Sequence, residues 1–189
     1  MSMTKYRADL TALNGDQIGT NAHGYVEFEH VANNLHITLE MFDTPANIQH
    51  WEHFHGFPNG QDANVPTLAQ DSNHDGWIDL PETEAVSGTT MVPLDGAPHH
   101  MHIPNDNYPV ANEDGYYSYQ KDVPYDQLQA KFKEVFNDQD LQLDKRVVYI
   151  HGIPNDFELP VTVGGKLNDK YEQHVTLPIA AGKIKKIED

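Results

Sequence analysis

Two groups of residues carry types and spacings that can do chemistry. The first is a run of twelve, 71–82, reading Asp-Ser-Asn-His-Asp-Gly-Trp-Ile-Asp-Leu-Pro-Glu. Calcium takes about six to eight hard oxygens, and an EF-hand-type loop offers them at fixed offsets. Asp71, Asn73 and Asp75 stand at positions 1, 3 and 5, and Gly76 stands at 6, where the chain must turn sharply. Trp77 offers its carbonyl at 7, Ile78 packs inward at 8, and Asp79 serves at 9 directly or through water. Glu82 closes the shell at 12 with both oxygens, so the pattern is complete. The bland alternative is an acidic surface loop with Asx turns. Mg²⁺ fits less well, because it prefers a smaller octahedral shell that keeps its water. Pro66 upstream and Pro81 inside the loop argue against a long entering helix, so the loop is expected to fix local structure rather than to sense a signal.

The second group is histidine. His50, His53 and His55 lie in Gln-His-Trp-Glu-His-Phe-His-Gly. Residues two apart on a strand share a face, so His53 and His55 point the same way as Trp51, while Glu52 points the other way and is no ready base for a metal held there. A His-x-His pair on a strand suits Zn or Cu, which bind imidazole nitrogen. His99, His100 and His102 cluster in a loop, and His151 ends the apolar run Val147-Val148-Tyr149-Ile150. Taken alone, a His at the end of such a strand reads as a satisfied edge residue.

The elements that must position these groups are mostly strands. Leu35, Ile37, Leu39 and Met41 alternate with His36, Thr38 and Glu40, the period of a half-buried strand. Val26 and Phe28 repeat that pattern ahead of an Asn33-Asn34 turn. Residues 6–13, 47–55, 146–151, 158–163 and 176–187 also read as strands. One helix is expected after Pro124, with Leu128, Phe132, Val135 and Phe136 on its apolar side. The stretch 56–123 is rich in Gly, Pro, Asn and Asp and too long for a plain connection, so it is read as a site-bearing insertion. The expectation is one mainly β domain over 1–189, a sandwich or barrel of short strands with a decorated loop and one short helix.

Composition narrows the partners. Twelve basic against 29 acidic residues give a net charge of −17, which disfavours nucleic acid and anionic membranes and favours cations. No Cys is present, which excludes disulfides, thiolate metal sites and Cys nucleophiles. No apolar run reaches membrane-spanning length. The first ten residues hold no apolar signal core, so the expected compartment is the cytoplasm, or the outside after processing. Neither a G-x-S-x-G nor a His-Glu-x-x-His pattern occurs, which disfavours hydrolase chemistry.

In sequence order these segments resemble the copper/zinc superoxide dismutases. The run from Leu39 to Gly56 resembles that family's copper strand, Pro98-His99 its segment with the bridging His, and 146–151 the strand delivering the last copper His. Residues 177–184 resemble its closing strand. The opening, Tyr6 to Leu10, Gly24 to Phe28 and Leu35 to Leu39, is closer to the related CHRD (chordin-type) domains. The resemblance implies a Greek-key β-sandwich with a transition metal at His53, His55 and His151, and with His99, His100 or His102 as a fourth neighbour. The departures are specific. Ala181 stands where the family's Cys would fall, and Pro178 matches the position of its functional Arg. His100, His102 and Asp106 are compressed stand-ins for the zinc sub-site. Three functions follow: a metal-binding protein of dismutase-like fold with Ca²⁺ and Cu or Zn, a copper-dependent superoxide dismutase, and a calcium-stabilised binding or adhesion domain.

Overall fold

The computed structural model describes residues 2–188. The described residues form nine strands: β1 (Met3–Ala12), β2 (His23–Val31), β3 (Asn34–Phe42), β4 (Glu52–Gly56), β5 (Thr89–Pro93), β6 (Tyr117–Pro124), β7 (Val147–His151), β8 (Pro178–Lys183) and β9 (Lys185–Glu188). All pairings are antiparallel, in the order β5-β4-β7-β8-β1-β2-β3-β6, with β9 also on β1. The chain steps between the two halves at β3 to β4, β5 to β6, β6 to β7 and β8 to β9, as in a Greek key. The halves face one another. Phe28 of β2 meets Phe54 of β4 edge to face, with ring centroids 6.4 Å apart. This is a mainly β sandwich.

Alternation sets which face is inside. On β3, Leu35, Ile37, Leu39 and Met41 are buried, and their neighbours stand on the wetter side. Strand β8 lies close against β1, where a Cβ on Gly182 would come within 2.2 Å of the Asp9 carbonyl oxygen, so only glycine fits there. The expected helix is α3 (Tyr125–Val135), which buries Leu128 and Phe132. Phe132 packs on Phe54 and so covers the face of β4 that carries Glu52 and Phe54.

The structure departs from expectation in four places. Three further helices occur: α1 (Gly15–Ile18), α2 (Leu80–Ser87) and α4 (Gln173–Thr176). Residues 158–163 form no strand. Pro160 lacks the N–H a ladder needs, and Val161 is exposed. The strand expected over 47–55 shortens to β4, with one bridge between Gln49 and Val110 before it. The stretch 56–123 is not wholly an insertion, because β5 and β6 are sheet members and β6 pairs with β3 over its full length. Its Tyr117, Tyr119 and Val123 are buried in alternation, but polar residues between them hide the pattern in sequence. Among the described residues no helix is long and apolar enough to cross a membrane.

Candidate metal centre

Two neighbouring strands bring the three predicted histidines together. In the β4–β7 ladder Glu52 pairs with Ile150 and His53 with Tyr149, and the His151 N–H donates to the Trp51 carbonyl at 2.8 Å. This register puts Trp51, His53 and His55 on the same face as Val147, Tyr149 and His151. The opposite face carries Glu52 and Phe54 into the core. There Tyr117 donates to Glu52 Oε1 at 3.1 Å, and burial raises the Glu52 carboxyl well above its ordinary range.

One ring nitrogen from each of His53, His55 and His151 lies within 4.8 Å of the others, and all three side chains are buried. The remaining hydrogen bonds choose which nitrogen is free. His151 Nδ1–H donates to the Thr176 carbonyl at 2.8 Å, so its Nε2 carries the lone pair. His53 Nε2 meets the Tyr108 hydroxyl at 2.9 Å, and with that nitrogen as donor its Nδ1 carries the lone pair. Nδ1 of His53, Nδ1 of His55 and Nε2 of His151 are buried without any hydrogen-bond partner. Burial, reinforced by the neighbouring rings, holds His53 well below the usual imidazole range, and burial and His151 do the same to His55. Burial also pushes His151 down to about 4, against the opposing hydrogen bond to Thr176. The three rings are therefore neutral at pH 7, the state a metal ligand needs. Tyr149 packs against His55 with the rings tilted and their centroids 4.5 Å apart, and Ser87 of α2 holds the Tyr149 hydroxyl.

The other candidates fall elsewhere. His99 does not join the three; it sits in a tight turn, Pro98–His100, that packs on α3 and β6. His100 and His102 are exposed, and Asp106 pairs with Lys170 at 2.6 Å. The residue that stands beside His53 is Tyr108, which no sequence signal singled out, because it lies 55 positions away in a loop. His50 is held between the carbonyls of His151 and Pro45.

The 71–82 loop also closes on itself. Oxygens of Asp71, Asp75 and Glu82 lie within 4.8 Å of one another. Gly76 has φ 85°, the left-handed conformation expected at the sharp turn. Asp71 accepts from the N–H groups of Asp75 and Gly76, and Asn73 from that of Asp75. Asp79 caps α2 and, with Glu82, forms a capping box. Asp79 is not one of the three converging acids. Its second oxygen accepts from Gly164 N–H at 2.7 Å. The Ile78 backbone is clamped by the Asn14 side chain, which bonds both its N–H and its carbonyl, and Trp77 and Ile78 are buried. The entering segment is a single 3₁₀ turn, Leu68–Gln70, in keeping with the two prolines.

No protein-family model and no curated protein matches the chain. Among solved structures, the Cu/Zn superoxide dismutase from Brucella abortus is similar at 18% identity with a TM-score of 0.44, over 96% of this chain and 99% of that one.

Proposed function

We propose that this protein is a metal-binding protein of dismutase-like fold, holding a Cu or Zn ion at His53, His55 and His151. One observation carries the reading: three buried, neutral imidazoles each leave one nitrogen unpartnered, and those rings converge. A buried polar atom without a partner costs about 1–3 kcal/mol, and a bound metal would relieve three such costs together. Three protein nitrogens with an open fourth position suit Zn or Cu. The metal would supply Lewis acidity, or one-electron chemistry if it is copper. The likeness of the opening segments to CHRD domains belongs to the same reading.

The loop of Asp71, Asn73, Asp75, Trp77, Asp79 and Glu82 is the proposed Ca²⁺ site. Its complete pattern and the convergence of Asp71, Asp75 and Glu82 support that second assignment. Elemental analysis of protein purified without a His tag tests both metals. We expect about one transition-metal ion and one Ca²⁺ per chain. His53→Ala and His151→Ala should each lose the first and keep the second. Wild-type protein that takes up neither Cu nor Zn on titration would leave only the calcium-stabilised binding domain.

A further inference from the structure

Strands β7 and β8 pair with each other, yet the chain between them makes an excursion over residues 152–177 before it returns. This excursion carries the Thr176 carbonyl, which accepts from His151 Nδ1–H at 2.8 Å. Its Leu167, Asn168 and Thr176 line a cavity together with His53 and His151. Whatever holds the two ends of the excursion together therefore bears on the histidine cluster.

His174 stands where those ends meet. Its carbonyl accepts from Ile153 N–H at 2.8 Å, and close by Gly152 N–H donates to the Leu177 carbonyl at 3.0 Å. The ring makes two further ties. Nδ1 lies 2.9 and 2.7 Å from the two carboxylate oxygens of Glu172, and Nε2 lies 2.6 Å from the Phe157 carbonyl. An ionised carboxylate and a backbone carbonyl only accept. A neutral imidazole has one N–H and one lone pair, so it can satisfy one partner and must set its lone pair against the other. The doubly protonated ring donates to both, in charge-assisted bonds. Phe157 in turn packs edge-on against Trp77 of the 71–82 loop, with ring centroids 5.9 Å apart.

The surroundings favour the protonated ring. The His174 side chain is 17% exposed, and burial works against its charge. The bonds to Glu172 and Phe157, with the charges of Glu172 and of Asp156 in the turn before Phe157, outweigh burial and raise its pKa above the ordinary 6.5. The other charged groups lining the cavity beside His174 are Asp106 and Lys170, which neutralise each other at 2.6 Å, and the Tyr171 hydroxyl there donates to Asp106.

We infer that His174 is a pH-sensitive clasp: its imidazolium ties the outgoing end of the excursion, at Phe157, to the returning end, at Glu172, and loss of one proton breaks one tie and loosens the segment that presents Thr176 to His151. The folded chain holds this proton more tightly than the unfolded chain. The clasp is therefore fully closed below about pH 6.5 and opens as pH rises through the folded pKa. The inference rests on the proposed metal centre only for one consequence, that a held ion exchanges faster when the clasp is open. The clasp itself needs no metal.

The test uses the full-length protein, with and without Zn²⁺. The His174 ring is titrated by NMR, and amide protection factors are compared at about pH 6 and about pH 9. We expect His174 to titrate above 6.5. Protection at Ile153 and Leu177 should fall about tenfold or more between the two pH values, while that at Leu39 in β3 stays constant. In His174→Gln, protection at Ile153 and Leu177 should be low at both pH values and independent of pH, with Leu39 unchanged. A His174 pKa at or below 6.5, wild-type protection that does not follow pH, or the same pH dependence in His174→Gln would overturn the inference. The wild-type titration decides even if the variant fails to fold. Zn²⁺ uptake is read separately by native mass spectrometry. Protection that follows pH in a protein taking up no Zn²⁺ would uphold the clasp and reject the Zn site. Zn²⁺ uptake with protection independent of pH would do the reverse.

Discussion

The Tyr108 hydroxyl, 2.9 Å from His53 Nε2, bears on which ring nitrogen is left to face its neighbours. Thr176 does the same for His151 through its carbonyl. Partners of this kind orient a ligand ring and raise its basicity, and their loss typically costs about 10–100-fold in metal affinity. Tyr108→Phe keeps the ring that packs on Trp51 and removes only the hydroxyl. We expect Zn²⁺ affinity, measured against a chelating dye, to fall about tenfold or more, with the circular dichroism spectrum unchanged. Unchanged affinity would mean that Tyr108 only fills space. His53 and His55 could be paired from the sequence because a strand's period of two is local. Tyr108 could not, because a loop has no period and its direction depends on what it packs against.

At the scale of elements, the 71–82 loop and α2 act together. Asp79 is both the loop's ninth residue and the N-cap of α2, and Ser87 at the far end of that helix reaches Tyr149, whose ring packs against His55. A second route runs from Asp79 to Gly164 N–H, then from the Gly165 carbonyl to Thr176, whose own carbonyl accepts from His151. Calcium that binds only the folded state adds about 2.7 kcal/mol of stability at 100 times its Kd. We therefore expect Ca²⁺ to raise the melting temperature of the wild type and to leave that of Asp71→Ala unchanged. Glu82→Ala should lose the response too, and should also lower the calcium-free melting temperature, because it removes half of a capping box worth about 1 kcal/mol. Thermal melts in chelator and in excess Ca²⁺ decide this. A full calcium response in both variants would refute the site. The loop's oxygen pattern was legible because its residues are local in sequence, whereas its links to Gly164 and Asn14 were not.

At the scale of the whole molecule, charge governs which substrates can be captured. Superoxide is a small anion, and fast capture of anions relies on positive potential focused at the metal. Here the net charge is −17, and the sheet neighbour of His151 is Pro178, a buried residue without charge. Lys183 pairs with Val147 at the other end of β7, roughly 13 Å along the strand from His151, and its ammonium is taken by Asp62 and the Ala63 carbonyl. Lys185 and Lys186 lie on β9, against β1 rather than β7. We expect dismutation by the Cu²⁺-loaded protein, with or without Zn²⁺ and at confirmed occupancy, to be absent or far below the diffusion limit at low salt. A rate near that limit would establish the dismutase reading.

The sequence alone determined what depends on neighbours along the chain. It gave β2 and β3 by alternation, β7 by its short apolar run, β1 by its strand-like composition, α3 by its apolar spacing, the twelve-residue loop by its oxygen pattern, and the shared face of His53 and His55 by strand geometry. It missed β6, where polar residues interrupt the buried Tyr117, Tyr119 and Val123, and it misread 158–163, where Pro160 outweighs β-favouring neighbours. Only the tertiary structure decided that β7 lies beside β4 in the register that carries His151 to the other two. A slip of one residue would have turned it to the core. Tertiary packing also kept His99 out of the cluster, by seating its turn against α3, β5 and β6. These arrangements join residues about 50–100 positions apart, and their geometry is set by burying both faces of the sheet, a condition that no local spacing records.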